Sequence, residues 1–226
     1  MIGTIANVTT IVIGSILGSL FKKGINPKYQ DALYNAMGLA ALGLGINAVA
    51  GNLSDSIYPV LFIASLAIGS LLGSMIDLDK RFNSLVGKFS KTNIGEGLST
   101  AIMLFCIGAF SILGPMRAAL LEDYTYLFTN ATLDFVTSFV LASTYGIGII
   151  FSAVFLFVWQ MSIYLFAVQL EPFLSGDLLT EIMIVGGFLI MASGLSILNI
   201  KKFKTMNILP ALFIPPVWFV IMSLVG

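Results

Sequence analysis

The sequence contains no histidine and a single cysteine, Cys106. Without histidine there is no imidazole for general acid–base work. One cysteine excludes a disulfide within the chain, and with no histidine beside it a Cys/His metal site is not expected. Charge is equally scarce. Only 10% of residues are charged, where soluble domains carry about 25%, and the formal net charge is zero. There is no polybasic tract, so no nucleic-acid partner is expected. No segment follows a GxSxG, P-loop or metalloprotease pattern. No catalytic residue, metal site or cofactor is predicted, and the chain does not read as an enzyme. The start, Met1-Ile2-Gly3-Thr4, has no positive n-region and no cleavage site, so it reads as a retained helix.

What the sequence has in quantity is apolar surface: 58% of its 226 residues are apolar and its mean hydropathy is +1.01. Such a chain cannot cover a water-facing surface, so the lipid bilayer is its expected solvent and partner. The fold class predicted is all-α, a single membrane domain over residues 1–226 built as a polytopic bundle of about eight spans. Six are plain at roughly 2–21, 32–50, 57–76, 97–115, 181–200 and 207–225, each near the ~20 residues a crossing needs. The apolar stretch 131–170 would be about 60 Å long as one helix, twice the hydrocarbon core. It is therefore expected to be two spans with a turn near Gly146-Ile147-Gly148, glycine being the residue that most easily reverses the chain.

Charge tests that count. Lys22, Lys23 and Lys28, then Lys80, Arg81, Lys88 and Lys91, then Lys201, Lys202 and Lys204 occupy the first, third and seventh loops. With eight spans these loops share one side, which the positive-inside rule makes the cytoplasm of a bacterial inner membrane, with both termini outside. Asp55, Glu122, Asp123, Glu171 and Asp177 fall on the other side, together with Arg117. In the third loop Leu78, Phe82, Leu85, Val86 and Phe89 recur at helical spacing, which predicts an amphipathic helix on the basic leaflet.

Several segments echo one another. Pro59-Val60-Leu61-Phe62-Ile63 resembles Pro210-Ala211-Leu212-Phe213-Ile214, and the pair Gly38/Gly45 in the second span has the spacing of Gly187/Gly194 in the seventh. A displacement by five spans makes related segments antiparallel, the inverted repeat common in secondary transporters. Glu96, Thr100 and Gly108 align more weakly with Asp134, Ser138 and Gly146 in the same sense. Gly14-Ser15-Ile16-Leu17-Gly18 and Gly69-Ser70-Leu71-Leu72-Gly73 are GxxxG faces, whose expected role is close helix packing.

The fourth and fifth spans carry the candidate substrate pathway: Cys106, Gly108, Ser111, Gly114 and Pro115 in one, Ser143, Thr144, Tyr145, Gly146 and Gly148 in the other. Gly and Pro interrupt the hydrogen-bond ladder and small hydroxyls re-satisfy it, so such spans can offer backbone groups to a solute near the midplane. Glu96, Arg117 and Asp134 are the flanking charges. Glu96 and Asp134 are expected near helix starts, where the macrodipole stabilises an acid. No mid-span carboxylate, and hence no proton relay, is expected. Asn7, Asn35, Asn47 and Gln160 are amides expected to bond across helices.

Met1-Ile2-Gly3-Thr4, Ile13-Gly14-Ser15, Glu96-Gly97, Phe105-Cys106-Ile107-Gly108-Ala109, Ala142-Ser143-Thr144, Gly146-Ile147-Gly148 and Leu209-Pro210-Ala211-Leu212 together resemble the YqgA-like bacterial membrane family, domain of unknown function five-five-four. The resemblance covers nearly the whole chain. It implies a bacterial inner-membrane protein of a group described as transport proteins without an established activity, and it implies no substrate. Pro115 after Gly114 is a departure that stiffens the end of the fourth span. Two functions follow. The first is a secondary transporter or channel for an unidentified small solute, with the fourth and fifth spans lining its path. The second is a scaffold or sensor component assembling through GxxxG faces, with itself as a homo-oligomer or with another chain.

Overall fold

A computed structural model describes residues 2–21, 26–87, 93–170 and 176–225. Its elements are all helical: α1 (Ile2–Leu20), α2 (Pro27–Leu53), α3 (Leu61–Ile76), α4 (Leu78–Gly87), α5 (Asn93–Ile107), α6 (Ala109–Leu120), α7 (Thr125–Tyr145), α8 (Ser152–Leu170), α9 (Gly176–Ile197), α10 (Thr205–Ile208) and α11 (Ile214–Val225), with 3-10 segments at Ile147–Phe151 and Leu209–Phe213. Lys22, Lys23, Lys88, Phe89, Lys91 and Glu171 lie outside the described residues, as do the side chains of Leu85, Val86 and Glu96.

Polarity is distributed as lipid demands. On α1 the buried stripe is Gly3, Thr4, Asn7, Ile11, Gly14, Ser15 and Gly18, while Ile2, Ile5, Ile13, Ile16, Leu17 and Leu20 are exposed. Small and polar groups face inward and large apolar ones outward, because hydrocarbon outside removes the drive to bury leucine and leaves close backbone packing and hydrogen bonding to hold helices together. Among the described residues five helices are long and apolar enough to cross a membrane, and up to seven spans result if each of two bent pairs is one span. The eight read from the sequence are reached only by adding α7, whose polar face keeps it below that threshold of apolarity.

Contacts divide the chain into two compact units, Met1–Tyr34 with Phe82–Glu171, and Asn35–Arg81 with Pro172–Gly226. In the first unit α1 and α7 run parallel. A Cβ on Gly3 would meet Leu127, one on Gly14 would meet Ser138 and the Phe135 carbonyl, and one on Gly18 the Phe139 carbonyl. The first GxxxG face is thus spent inside the chain. The expected turn is present: α7 ends at Tyr145, Gly146 adopts φ 84° and ψ −173°, a conformation that glycine alone adopts readily, and the chain turns through Ile147–Phe151 into α8.

In the second unit the Gly38/Gly45 and Gly187/Gly194 pairs lie on each other. A Cβ on Gly45 would sit 2.9 Å from the Gly187 carbonyl oxygen, and one on Gly38 would sit 3.2 Å from that of Gly194. The pairing of 38 with 194 and 45 with 187 makes α2 and α9 antiparallel. The second GxxxG face is also internal, Gly69 meeting Ala211 and Gly73 the Asn207 carbonyl. Both ends of this unit are tied. At one end the Asp79 N–H donates to Asn207 Oδ1 at 2.8 Å and Lys204 Nζ lies 3.8 Å from Asp77, so the third and seventh loops share an end, as the charge pattern requires. At the other, buried Glu181 accepts from Ser56 Oγ at 2.6 Å and from the Tyr58 N–H at 3.1 Å.

The helix expected in the third loop forms as α4. Asp77, in the left-handed region at φ 50°, ends α3 and turns the chain by 44°. It does not simply lie on a leaflet: Phe82 is half-buried in the first unit, 6.1 Å from the Trp159 ring.

Candidate functional site

The fourth span is broken, and the break is at Gly108. This residue has φ −59° and ψ 138°, leaves the helical region, and separates α5 from α6 with a bend of 45°. The N-cap residue of α6 is Gly108 itself, which has no side chain with which to cap the helix. Its first turn holds Ser111, whose N–H returns to the Gly108 carbonyl at 3.0 Å. Pro115 does not break the span, as it sits inside α6. Having no N–H, it deprives the Ser111 carbonyl of its helical donor. Gln160 on α8 reaches the Ser111 hydroxyl at 3.5 Å, and its Oε1 is buried without a partner. The Gly-rich segment of the fourth span therefore gathers polar groups at the point where its ladder is open. Gly114 serves packing, since a Cβ there would lie 3.0 Å from Leu127.

The fifth span corrects the sequence reading twice. It is one unbroken helix of 21 residues, α7, so the expected interruption at Gly146 is a terminus. The helix also begins at Thr125, six residues ahead of the apolar stretch. Asp134 is then its tenth residue, well inside the helix, and macrodipole stabilisation at a helix start does not apply to it. It is 5% exposed. A buried carboxyl is thus present in the middle of a helix, where the sequence reading placed Asp134 near a helix start.

Three residues surround Asp134. Asn130, one turn earlier, donates from Nδ2 to Asp134 Oδ2 at 2.9 Å. Asn7 on α1 is fully buried, and its amide interacts with the Asp134 carboxyl without reaching hydrogen-bond geometry, which leaves Nδ2 and Oδ1 both unpaired. Cys106, just before the break, is within electrostatic range of the same carboxyl. Unpaired polar atoms at such depth cost about 1–3 kcal/mol each. Among the described residues no lysine or arginine pairs with Asp134; the ion pairs found are Arg117–Asp123 and Lys204–Asp77.

The remaining candidates lie elsewhere. Ser143 Oγ bonds back to the Val140 carbonyl at 2.7 Å and Thr144 to the same carbonyl at 3.4 Å, so both hydroxyls serve their own helix. Thr144 is exposed. Tyr145 packs beside a core of Ala101, Ile102, Phe105, Ala142, Ile149 and Leu156, and Gly148 is buried in the following turn. Tyr145 is about 16 Å along α7 from Asp134 at 1.5 Å per residue. Ser143, Thr144, Gly146 and Gly148 thus serve the end of α7 and its turn, while Tyr145 packs on the same core that holds Cys106. Nor is Arg117 a free cation for an entering anion. Its Nη2 pairs with Asp123 Oδ2 at 2.7 Å, its Nη1 donates to Tyr126 Oη at 3.3 Å, and its guanidinium lies 4.7 Å from the Tyr126 ring centroid. Partial burial opposes ionisation of Asp123, but hydrogen bonds from Thr125 and the charge of Arg117 outweigh it and hold the carboxyl below its ordinary value.

Asn7 and Gln160 were legible in the sequence as amides within spans. Asn130 and Glu181 were not singled out. The spacing of Asn130, Asp134 and Ser138, four residues apart on one helical face, is the signal that would have found the first.

Comparison with known proteins agrees on a membrane protein. The model of the family described as "Protein of unknown function (DUF554)" matches residues 2–220. The chain is 63% identical over 217 residues to the uncharacterized membrane protein YdfK of Bacillus subtilis (strain 168), covering 96% of this chain and 95% of that one. It is 28% identical over 225 residues to the uncharacterized protein YqgA of Escherichia coli (strain K12), covering 95% and 94%. No solved structure gives a significant match.

Proposed function

The chain belongs to the DUF554 family, and from the geometry of its first unit we propose that it is a secondary transporter or channel for a small solute. The observation that carries this reading is the break at Gly108 together with a buried mid-helix carboxyl, Asp134, at the same level of the unit, since Gly97 packs on Tyr145 to one side of both and Gly114 on Leu127 to the other. A continuous packed bundle has no need of either. A broken span leaves main-chain groups without helical partners, which is tolerated in a membrane where they line a cavity or bind a solute. An intramembrane acid marks an ion or substrate path by default. Ser111 and Gln160 supply hydroxyl and amide groups for a neutral or zwitterionic solute. Both GxxxG faces are occupied within the chain, which takes away one motive for the scaffold reading and leaves the other, the basic amphipathic helix.

The test is uptake into proteoliposomes. Purified protein is first screened by thermal shift against amino acids, organic acids, sugars and nucleobases, since a ligand of the native state raises the melting temperature. Classes that shift it are then offered as labelled solutes. Saturable uptake, reduced at least tenfold by Ser111→Ala with Gln160→Leu, is the expected result. Uptake no faster than in empty liposomes for every class would overturn the proposal.

A further inference from the structure

The group around Asp134 has a feature that solute binding at the break does not use. Asn7 is a fully buried amide with both polar atoms unpaired, and it faces a carboxyl that has no cationic partner among the described residues. A permanent carboxylate there would be an uncompensated charge in a low dielectric, which proteins do not sustain without pairing or neutralising it. A primary amide can serve a carboxyl in both protonation states, because it carries an acceptor and a donor on one rotatable group.

We infer that Asp134 is the proton-carrying group of the first unit, loaded and unloaded by way of the break at Gly108, with Asn7 as its two-state partner. This rests on the pathway reading above and deepens it by naming the coupling ion. On loading, a proton from water forms an O–H bond on Asp134 Oδ1, the oxygen that Asn130 does not hold, and this O–H donates to Asn7 Oδ1. On unloading that bond breaks, the proton returns to water, and the Asn7 amide turns so that Nδ2–H donates to the carboxylate. Asn130 keeps its bond to Oδ2 throughout.

Among the described residues no second carboxyl is found near Asp134, and the other titratable groups are these. Packed against α7 are α1, α5, α6 and the 3-10 segment Ile147–Phe151. Neither α1 nor that segment has a titratable side chain. From α5 there is the thiol of Cys106, and Glu96, whose side chain is outside the described residues; from α6 there is Arg117, committed to Asp123. Tyr34 bonds to Thr137, one turn beyond Asp134. On α7 itself Tyr126 and Tyr145 lie far along the helix.

Infrared difference spectroscopy of the purified protein in lipid, across pH and in H2O against D2O, reads the proton directly and requires no solute. The expected result is a carboxylic-acid C=O band that shifts in D2O, disappears as pH rises, and is missing in Asp134→Asn. Asn7→Leu, a near-isosteric change that removes the partner of the O–H, should shift the same band while Asn130 still holds its C=O, and this test stands if Asp134→Asn does not fold. A band indifferent to pH and D2O would show a sealed structural acid, and no Asp134-dependent band would show a permanent carboxylate; either overturns the inference. Solute uptake with such a spectrum would leave the transport reading standing and remove the proton alone.

Discussion

The amide of Asn7 on α1 faces the carboxyl of Asp134 on α7, across an interface where two parallel helices approach through glycine. The approach and the polar pair belong together. Gly3, Gly14 and Gly18 bring the α1 backbone against α7, and only at that separation can a side chain as short as asparagine reach a neighbour's aspartate.

The glycine contacts make a graded prediction. A Cβ at Gly18 meets the Phe139 carbonyl and one at Gly73 the Asn207 carbonyl, both main-chain atoms that cannot step aside. Gly18→Ala and Gly73→Ala should each destabilise the fold by an amount on the order of 1–3 kcal/mol, read as a lower melting temperature in detergent. Gly43 has nothing within 4 Å of its would-be Cβ, so Gly43→Ala should be neutral or stabilising by about 0.5–1 kcal/mol through helix propensity. Equal effects at all three positions would contradict the packing described.

The Arg117–Asp123 pair should be visible as pH dependence. The Asp123 carboxyl is held below its ordinary value in the folded state, so its contribution to stability is complete above the unfolded-state carboxylate range and is lost as pH falls through the folded value. Arg117→Ala should flatten the acid limb of a melting-temperature profile and cost about 0.2–1 kcal/mol near neutrality, as befits a pair that solvent reaches. Under the pathway reading it should leave solute uptake intact, because Arg117 is already neutralised by Asp123.

Glu181 ties the segment before α3 to α9 by accepting from Ser56 and from the Tyr58 N–H. Glu181→Leu strands that N–H, with an expected loss of about 1–3 kcal/mol. Limited proteolysis should then cut between 53 and 60 in the variant at protease levels that leave the parent intact. Unchanged protection would mean that the aromatic contacts of Tyr58 with Trp218 and Phe219 suffice.

Where the sequence was read well, one physical signal dominated: apolar length for α1 and α9, glycine for the break at Gly108 and the turn at Gly146, lysine for the shared end of the third and seventh loops. It was misread where two signals compete. Thr125, Thr129 and Asn130 lower local hydropathy, so α7 was expected to start at Ala131 and Asp134 to sit at its end. In fact those polar residues open a helix whose inner face is polar. The matching spacing of Gly38/Gly45 and Gly187/Gly194 suggested a repeat, and the structure gives it a more immediate cause: two antiparallel helices that clasp each other need glycines at equal intervals. Pairings such as Asn7 with Asp134 join residues far apart in sequence and were visible only once α1 and α7 were side by side.

The central claim is that solutes and water reach the break at Gly108 from outside the protein. With Cys106→Ala as background, Ser111→Cys and Gln160→Cys, which replace buried polar residues beside the break, should react with a small membrane-impermeant thiol reagent in intact proteoliposomes, while Ile149→Cys, equally buried but set in the apolar core, should not. Reaction at the first two and silence at the third is the result expected of a pathway through the first unit. Silence at all three, in protein that is folded by its melting profile, would mean that the break is sealed and that the first unit conducts nothing.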